Sequence, residues 1–259
     1  MKKVFFCYLD VLGFKNALKD KSDTDQVRII NSLFGYTVYS VPNFIEQPDT
    51  TKSIIDLESS NINSILISDS ILLWTNDCDY DSLLQFIYKV QGLIQAAFMG
   101  GFPLRGTIEY GGIYHQEKLI PTKHSYNHFD LIGGSALINA YQQEQNFEWM
   151  GCVISSNCMD KIRQLIIEHE GISDFKIANI FKKNTLIEYE APKKSGKLES
   201  YFTINWVNLI VRGIYLKSGI LDIFIMHNKT QGIPWEVKRK IDNTTHYVKY
   251  IVDNKLIVS

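Results

Sequence analysis

The sequence predicts an α+β fold built on a ferredoxin-like β-α-β-β-α-β sheet, and three observations carry that prediction. Val4 to Leu9 is a nearly continuous apolar run, as expected of a strand buried on both faces. Two further apolar runs, Ser64 to Ile67 and Ile71 to Trp74, are separated only by Ser68-Asp69-Ser70, the pattern of a tight hairpin. Helical spacing follows the first strand and again follows the hairpin. With right-handed crossovers, this order places the first and third strands side by side.

The elements follow in order. The first strand ends abruptly at Asp10-Val11-Leu12-Gly13, so that end faces a crevice. From Thr24 onward Val27, Ile30, Phe34 and Val38 recur at helical spacing, with Gly35 inside the run and Pro42 closing it. Gln47 to Asn63 is polar and turn-rich and reads as an exposed connection, after which Asp69 sits at the tip of the hairpin. Asp79 or Asp81 can cap a helix whose stripe is Leu83, Ile87, Val90, Ile94 and Ala97, and Gly100-Gly101 is a fitting stop. After Pro103, Leu104 to Gly111 reads as a fourth strand, with glycines marking close backbone approach or a bulge.

Beyond this core, Ser135 to Gln145 reads as a helix, Gly151 to Ile154 as a strand and Met159 to Glu168 as another helix. Lys182-Lys183 and Lys193-Lys194 mark an exposed basic stretch. Tyr201 to Val207 alternates as a strand with Phe202, Ile204 and Trp206 inward, and Val237, Ile241, Val248 and Ile251 outline a terminal helix. No repeat or Gly/Ser linker separates a second domain. The expected division is a core over residues 1–155 with a C-terminal α/β elaboration over 156–259 packed on the same domain.

Composition narrows the function classes. The 259 residues are 45% hydrophobic, enough to bury a full core, and 28 acidic against 27 basic residues leave no global field to recruit nucleic acid or an anionic membrane. The apolar run at the start is short and ends in a charge without a small-residue cleavage site. No stretch approaches the ~20 apolar residues of a membrane span. Cys7, Cys78, Cys152 and Cys158 form no CxxC pair, which suits reduced thiols, and a soluble, cytoplasmic protein is expected. His124 and His128 have i, i+4 spacing but fall in a loop-like segment with no other ligand cluster to complete a zinc site.

The chemistry points to Asp10 and Asp69. The topology brings the end of the first strand beside the hairpin tip, and two carboxylates held close there repel one another until a shared proton or a cation relieves them. Hard oxygen ligands suit magnesium or manganese, which complete their coordination with water and phosphate oxygens. The turn through Leu12, Gly13 and Phe14 leads into a helical segment and can aim backbone N–H groups at an anion.

Phe6-Cys7-Tyr8-Leu9-Asp10-Val11-Leu12-Gly13-Phe14 resembles the first metal motif of class III adenylate and guanylate cyclases, commonly Phe-x-Asp-Ile-x-Gly-Phe. Ile67-Ser68-Asp69-Ser70 resembles their second motif, a hairpin Gly-Asp with Ser68 in place of the glycine. Arg105 to Gly111 is similar to their Arg-Ile-Gly-Ile-His-x-Gly strand, and Phe129-Asp130-Leu131-Ile132-Gly133 to their Asp-x-x-Gly entry to the next helix. The four motifs cover roughly residues 1 to 155. Two positions depart: with Gly133 aligned, Leu137 replaces the Asn that holds ribose, and Tyr141 replaces the Arg that stabilises the transition state. The combination with Gly134, Ala136, Asn139, Ala140, Tyr141 and Gln142-Gln143-Glu144 resembles the pyrimidine cyclases of Pycsar antiphage systems.

The resemblance implies a phosphorus-oxygen lyase acting as a homodimer with sites at the subunit interface. It would convert UTP or CTP to cyclic UMP or cyclic CMP plus pyrophosphate, and the product would switch on a partner effector after phage infection. Two Mg2+ or Mn2+ ions would be held by Asp10, Val11 and Asp69, and phosphate by Leu12, Gly13, Phe14 and Arg105. Asp130 and Tyr141 would meet base or ribose. Arg105 has a structural alternative, an ion pair, and Tyr141 has another, interface packing. Asp130 in direct contact favours cytosine, whose amino group it accepts from, unless a water intervenes. Glu144 reads as a solvated helix residue. Three other readings stand beside this one: a purine cyclase or another phosphoryl-transfer enzyme on this fold, a catalytically silent nucleotide sensor, and an unrelated α+β scaffold in which Asp10 and Asp69 are surface carboxylates.

Overall fold

Ten residues of main chain, β1 (Lys2–Val11), form the axis of the sheet because both neighbours are antiparallel strands in full register with it. On one side β5 (Ser70–Thr75) pairs Asp10 with Ser70 and Phe6 with Trp74; on the other β6 (Leu104–Pro121) pairs Asp10 with Arg105 and Lys2 with Ile113. Outside β5 lies β4 (Ile62–Ile67), joined to it by the Ser68-Asp69 turn. The order β4-β5-β1-β6 is the ferredoxin-like arrangement expected from the sequence. The computed structural model describes residues 1–40, 43–46, 53–56, 61–121, 123, 125–168, 181, 183–227 and 235–258.

Helices cover one face. α1 (Phe14–Leu18) and α2 (Asp23–Ser40) follow β1, and α3 (Tyr80–Met99) follows β5. Asp79 caps α3 by accepting from the Ser82 amide at 2.8 Å, and Gly101, at φ 82°, turns the chain out of it. The predicted stripe Leu83, Ile87, Val90, Ile94 and Ala97 is wholly buried and packs with Phe5, Cys7, Leu9 and Val11 of β1. Each large aliphatic side chain so buried contributes roughly 1.5–3 kcal/mol.

The opposite face carries α4 (Ser135–Glu144), which lays Ala136 and Ala140 over Val4, Phe6, Tyr8, Leu72 and Trp74. The pleat thus sends odd residues of β1 to the main core and even residues, Asp10 included, toward α4. Gly106 permits this crowding: a Cβ there would overlap the Tyr8 carbonyl oxygen and the Leu9 side chain.

Beyond α4 the chain continues the same sheet. β8 (Gly151–Ile154) pairs with β6 in parallel, β10 (Leu198–Ile204) pairs with β8, and β9 (Leu186–Pro192) forms the outer edge. α5 (Ser156–Glu168), α6 (Leu209–Ser218) and α7 (Leu221–Ile225) lie along the intervening chain. The terminal helix α8 (Trp235–Asp253) buries Ile241, Thr244, Tyr247, Val248 and Ile251. No helix among the described residues is long and apolar enough to cross a membrane.

Four expectations are corrected. α2 forms, but Val27 and Phe34 are each 55% exposed and Ile30 is 43% exposed; Ile29, Leu33 and Thr37 face the core instead. Gln47 to Asn63 is not all connection: Ser53–Asp56 (β3) pairs with Asn43–Glu46 (β2) as a separate two-stranded ribbon, and β4 begins at Ile62. β6 does not stop at Gly111 but runs to Pro121 and returns as β7 (Tyr126–Gly133), an arm exposed on both faces and so without the one-sided apolar pattern that marks a strand. His128 lies in β7 and pairs with Glu117 at 2.9 Å, while His124, Lys182 and part of the 47–63 segment lie outside the described residues.

Candidate functional site

Backbone pairing at the end of β1 sets the site. The Val11 amide donates to the Asp69 carbonyl at 2.9 Å, and Asp10 is the register partner of both Ser70 and Arg105. Asp10 and Asp69 therefore occupy adjoining strand ends. Ser68 makes the turn between β4 and β5 with φ 57°, a left-handed conformation that a glycine would adopt without strain.

Arg105 organises the acids. Its side chain is 8% exposed; it pairs with the Glu144 carboxylate, approaches Asp10 Oδ2 at 3.5 Å and donates to the Phe147 carbonyl at 2.9 Å. Of the two roles open to Arg105, the structural ion pair is therefore present. Glu144 is not solvated: it is 1% exposed, on the same helical face as Ala136 and Ala140. The four-residue spacing of Ala136, Ala140 and Glu144 is the signal that would have located it.

Burial pushes the Asp10 carboxyl up to about 6, the Glu144 and Asp69 charges push the same way, and Arg105 and Lys240 oppose them without prevailing. Burial also raises Glu144, against the pull of Arg105. Burial is the larger cause in both acids, and a bound cation would relieve it. Among the described residues no group of three or more His, Cys, Asp or Glu could hold a metal ion. Asp10 and Asp69 could hold a hard divalent ion, which takes oxygen ligands and completes its coordination with water and phosphate. Val11, whose side chain is buried and whose amide is already bonded, could contribute only its carbonyl oxygen.

The remaining predicted residues divide. The Leu12 amide donates to the Pro103 carbonyl at 2.9 Å, so it is not an open phosphate donor, which corrects that expectation. Gly13 stands at φ 81° before the short helix α1, and Phe14 is buried beneath it. Tyr141 is 44% exposed and meets Tyr8 edge-on at 5.4 Å, while Tyr8 shares a 2.7 Å hydrogen bond with Ser70. Asp130 does not join this group within one chain. It pairs with Glu117 far out on the arm, whereas Asp10 pairs with Arg105 at the root of the same strand. Asp130 instead bonds His115 at 2.7 Å, and His115 meets Trp74 edge-on at 5.0 Å beside a cavity of about 290 Å³.

Two lysines of the C-terminal region complete the surroundings. Lys194 and Lys240 both interact electrostatically with Asp10, Glu144 and Arg105. Nothing in their local sequence announces it, and Lys193-Lys194 carries the pattern of an ordinary solvated turn.

No protein-family model matches the sequence, and no curated protein matches it. Solved structures with similar coordinates include the dimeric guanylyl cyclase domain of the RhoGC fusion protein from the aquatic fungus Blastocladiella emersonii. That match has 13% identity and a TM-score of 0.44, covering 78% of this chain and 96% of that one. The adenylyl cyclase CyaB from P. aeruginosa matches at 12% identity and a TM-score of 0.40, covering 79% and 94%. The guanylyl cyclase Cya2 matches at 12% identity and a TM-score of 0.40, covering 78% and 91%.

Proposed function

We propose that the chain is a nucleotide cyclase that converts UTP or CTP to the 3′,5′-cyclic monophosphate and pyrophosphate, as a homodimer. The product would act as a second messenger in antiphage defence. The observation that carries this is the meeting of Asp10 and Asp69 at adjoining strand ends, with the Asp10 carboxyl raised by burial and by its acidic neighbours.

A bound divalent metal would supply Lewis acidity to the α-phosphoryl group and a counter-charge to the triphosphate. Asp10 and Asp69 would fix its position. Gly13 would let phosphate approach the main chain closely, and Tyr141 would offer an aromatic face to base or ribose. The ribose 3′ hydroxyl oxygen would then attack the α-phosphorus in line, its proton passing to solvent, as the bond to pyrophosphate breaks. Asp130 bonds His115 on the exposed arm rather than joining the Asp10 group, which supports a shared site. Two chains paired head to tail would place the Asp130 and His115 region of one beside Asp10 of the other. The exposed Tyr114, Leu119, Phe129, Leu131 and Ile138 offer apolar surface for such pairing.

One observation favours a second reading. Arg105 already lies against Asp10, as a nucleotide sensor without turnover would tolerate. Incubation with each of the four ribonucleoside triphosphates and Mn2+, followed by separation of products, tests both. Turnover of UTP or CTP supports the proposal. Turnover of ATP or GTP alone makes this a purine cyclase, and no turnover with a raised melting temperature makes it a sensor.

A further inference from the structure

Among the described residues the Asp69 carboxylate forms no hydrogen bond and no ion pair. Asp69 is the second residue of the two-residue β4–β5 turn, which the Ile67–Ser70 register pair closes. The direction of its side chain therefore depends on where the next residue, Ser70, is held. The Ser70 main chain pairs with Asp10, and its hydroxyl shares the 2.7 Å hydrogen bond with the Tyr8 phenol, in which either oxygen can donate. The register partner of Tyr8 on β5 is Leu72, so this bond runs diagonally, toward the turn. Tyr8 stands two residues before Asp10 on the same face of β1. One side chain of the strand that carries the first acid thus reaches across to the turn that carries the second.

Tyr8 can act as a strut because it is itself fixed. It is 9% exposed and belongs to the small apolar cluster that α4 closes with Ala136 and Ala140. Its ring also meets Tyr141 edge-on at 5.4 Å, a distance at which aromatic pairs attract. A phenylalanine would fill the same space and keep the contact with Tyr141, but would leave Ser70 without this bond. Packing alone therefore does not call for the hydroxyl. A carboxylate that ligates a metal holds it tightly only when groups one step removed fix its orientation, and the Tyr8–Ser70 bond stands in that place.

We propose that Tyr8 is a positioning residue for the strand-end site: through Ser70 its hydroxyl fixes the turn that carries Asp69, and so sets how tightly Asp10 and Asp69 together hold a divalent ion. That these acids hold a metal rests on the cyclase reading above. The role belongs to the hydroxyl and not to the ring. Its loss leaves the contact with Tyr141, and hence the nucleoside side of the site, in place.

Calorimetric titration of the full chain with MnCl2 tests this without any turnover. Wild type binds Mn2+ and Asp69→Ala does not. Tyr8→Phe and Ser70→Ala each weaken binding about tenfold, and the double variant weakens it no further than either single change, because both break one bond. Ser70→Thr, which keeps a hydroxyl, restores most of the affinity. Tyr8→Phe and Ser70→Ala each remove a single oxygen, so both variants fold, and melting curves verify it. Wild type that fails to bind Mn2+, binding that survives Asp69→Ala, or folded Tyr8→Phe protein that binds as wild type does overturns the inference. So do losses that add in the double variant, since they would make Ser70 a ligand in its own right. Nucleotide turnover is assayed in parallel, where Tyr8→Phe raises the Mn2+ concentration needed and leaves the nucleotide KM at saturating Mn2+ unchanged. Cyclic product with the same Mn2+ dependence in wild type and Tyr8→Phe sinks the strut and keeps the cyclase, whereas Tyr8-dependent Mn2+ binding without turnover of any nucleotide does the reverse.

Discussion

The Val11 amide and the Asp69 carbonyl share a 2.9 Å hydrogen bond, so the two acidic positions are coupled through main chain as well as through the charge of their side chains. Replacing either carboxylate leaves that link in place.

Asp69→Ala is therefore expected to keep the fold. Asp69 is half-buried at a turn, and the change in stability should stay within about 0.5 kcal/mol. Turnover with Mn2+ should fall by a factor of about 10³ or more, equivalent to roughly 4 kcal/mol of transition-state stabilisation. Melting curves and product assays on the same preparation check both halves.

Asp10→Asn should stabilise the metal-free protein at neutral pH. The native carboxyl titrates at about 6, above its ordinary 3.8, so between those values the native state holds a proton that the unfolded chain has lost. Stability attributable to Asp10 is then greatest below about pH 4 and falls as pH rises through 6, by at most about 3 kcal/mol. That shift is already net of the opposing contact with Arg105, so the variant should gain up to about 3 kcal/mol at pH 8, a gain that vanishes near pH 4. Urea melts across that range measure it. Mn2+ should stabilise wild type and not the variant.

Arg105→Met leaves Glu144 buried without its ion-pair partner and should cost about 3–5 kcal/mol. Adding Glu144→Leu should recover much of that loss, because an apolar pair replaces an orphaned charge. Were Arg105 purely a phosphate ligand, the single change would scarcely move the urea midpoint.

Ser68→Gly relieves a left-handed serine in the β4–β5 turn at the cost of a more flexible unfolded chain. The melting temperature should stay level or rise by up to about 3 °C. A drop of several degrees would mean that the serine side chain has a structural partner in the turn.

Much of this architecture is legible in the sequence because its signals are local. The continuous run before Asp10, the Ser68-Asp69-Ser70 interruption and the stripe from Leu83 to Ala97 each mark one element and its buried face. The β6–β7 arm lacks such a signal, since exposure on both faces removes the alternation that identifies a strand. In α2, a stripe at the correct period faces outward, because period specifies a helix face without saying which neighbour covers it. Arg105, Glu144, Lys194 and Lys240 show the deeper limit. Their meeting depends on a strand, the helix on its other face and two segments far along the chain, so no local window contains it. Glu144 alone left a trace, in register with Ala136 and Ala140.

The grip of α8 on the chain beside Glu144, where Asn243 donates to the Glu148 carbonyl and the Met150 amide donates to Thr244 Oγ1, also sets an order of events during synthesis. The β-sheet that carries Asp10 and Asp69 can emerge from the ribosome and fold first, yet Lys240 arrives only with the last helix. A nascent chain would present its acids before the lysine that accompanies them, which follows only when translation reaches residues 235–253.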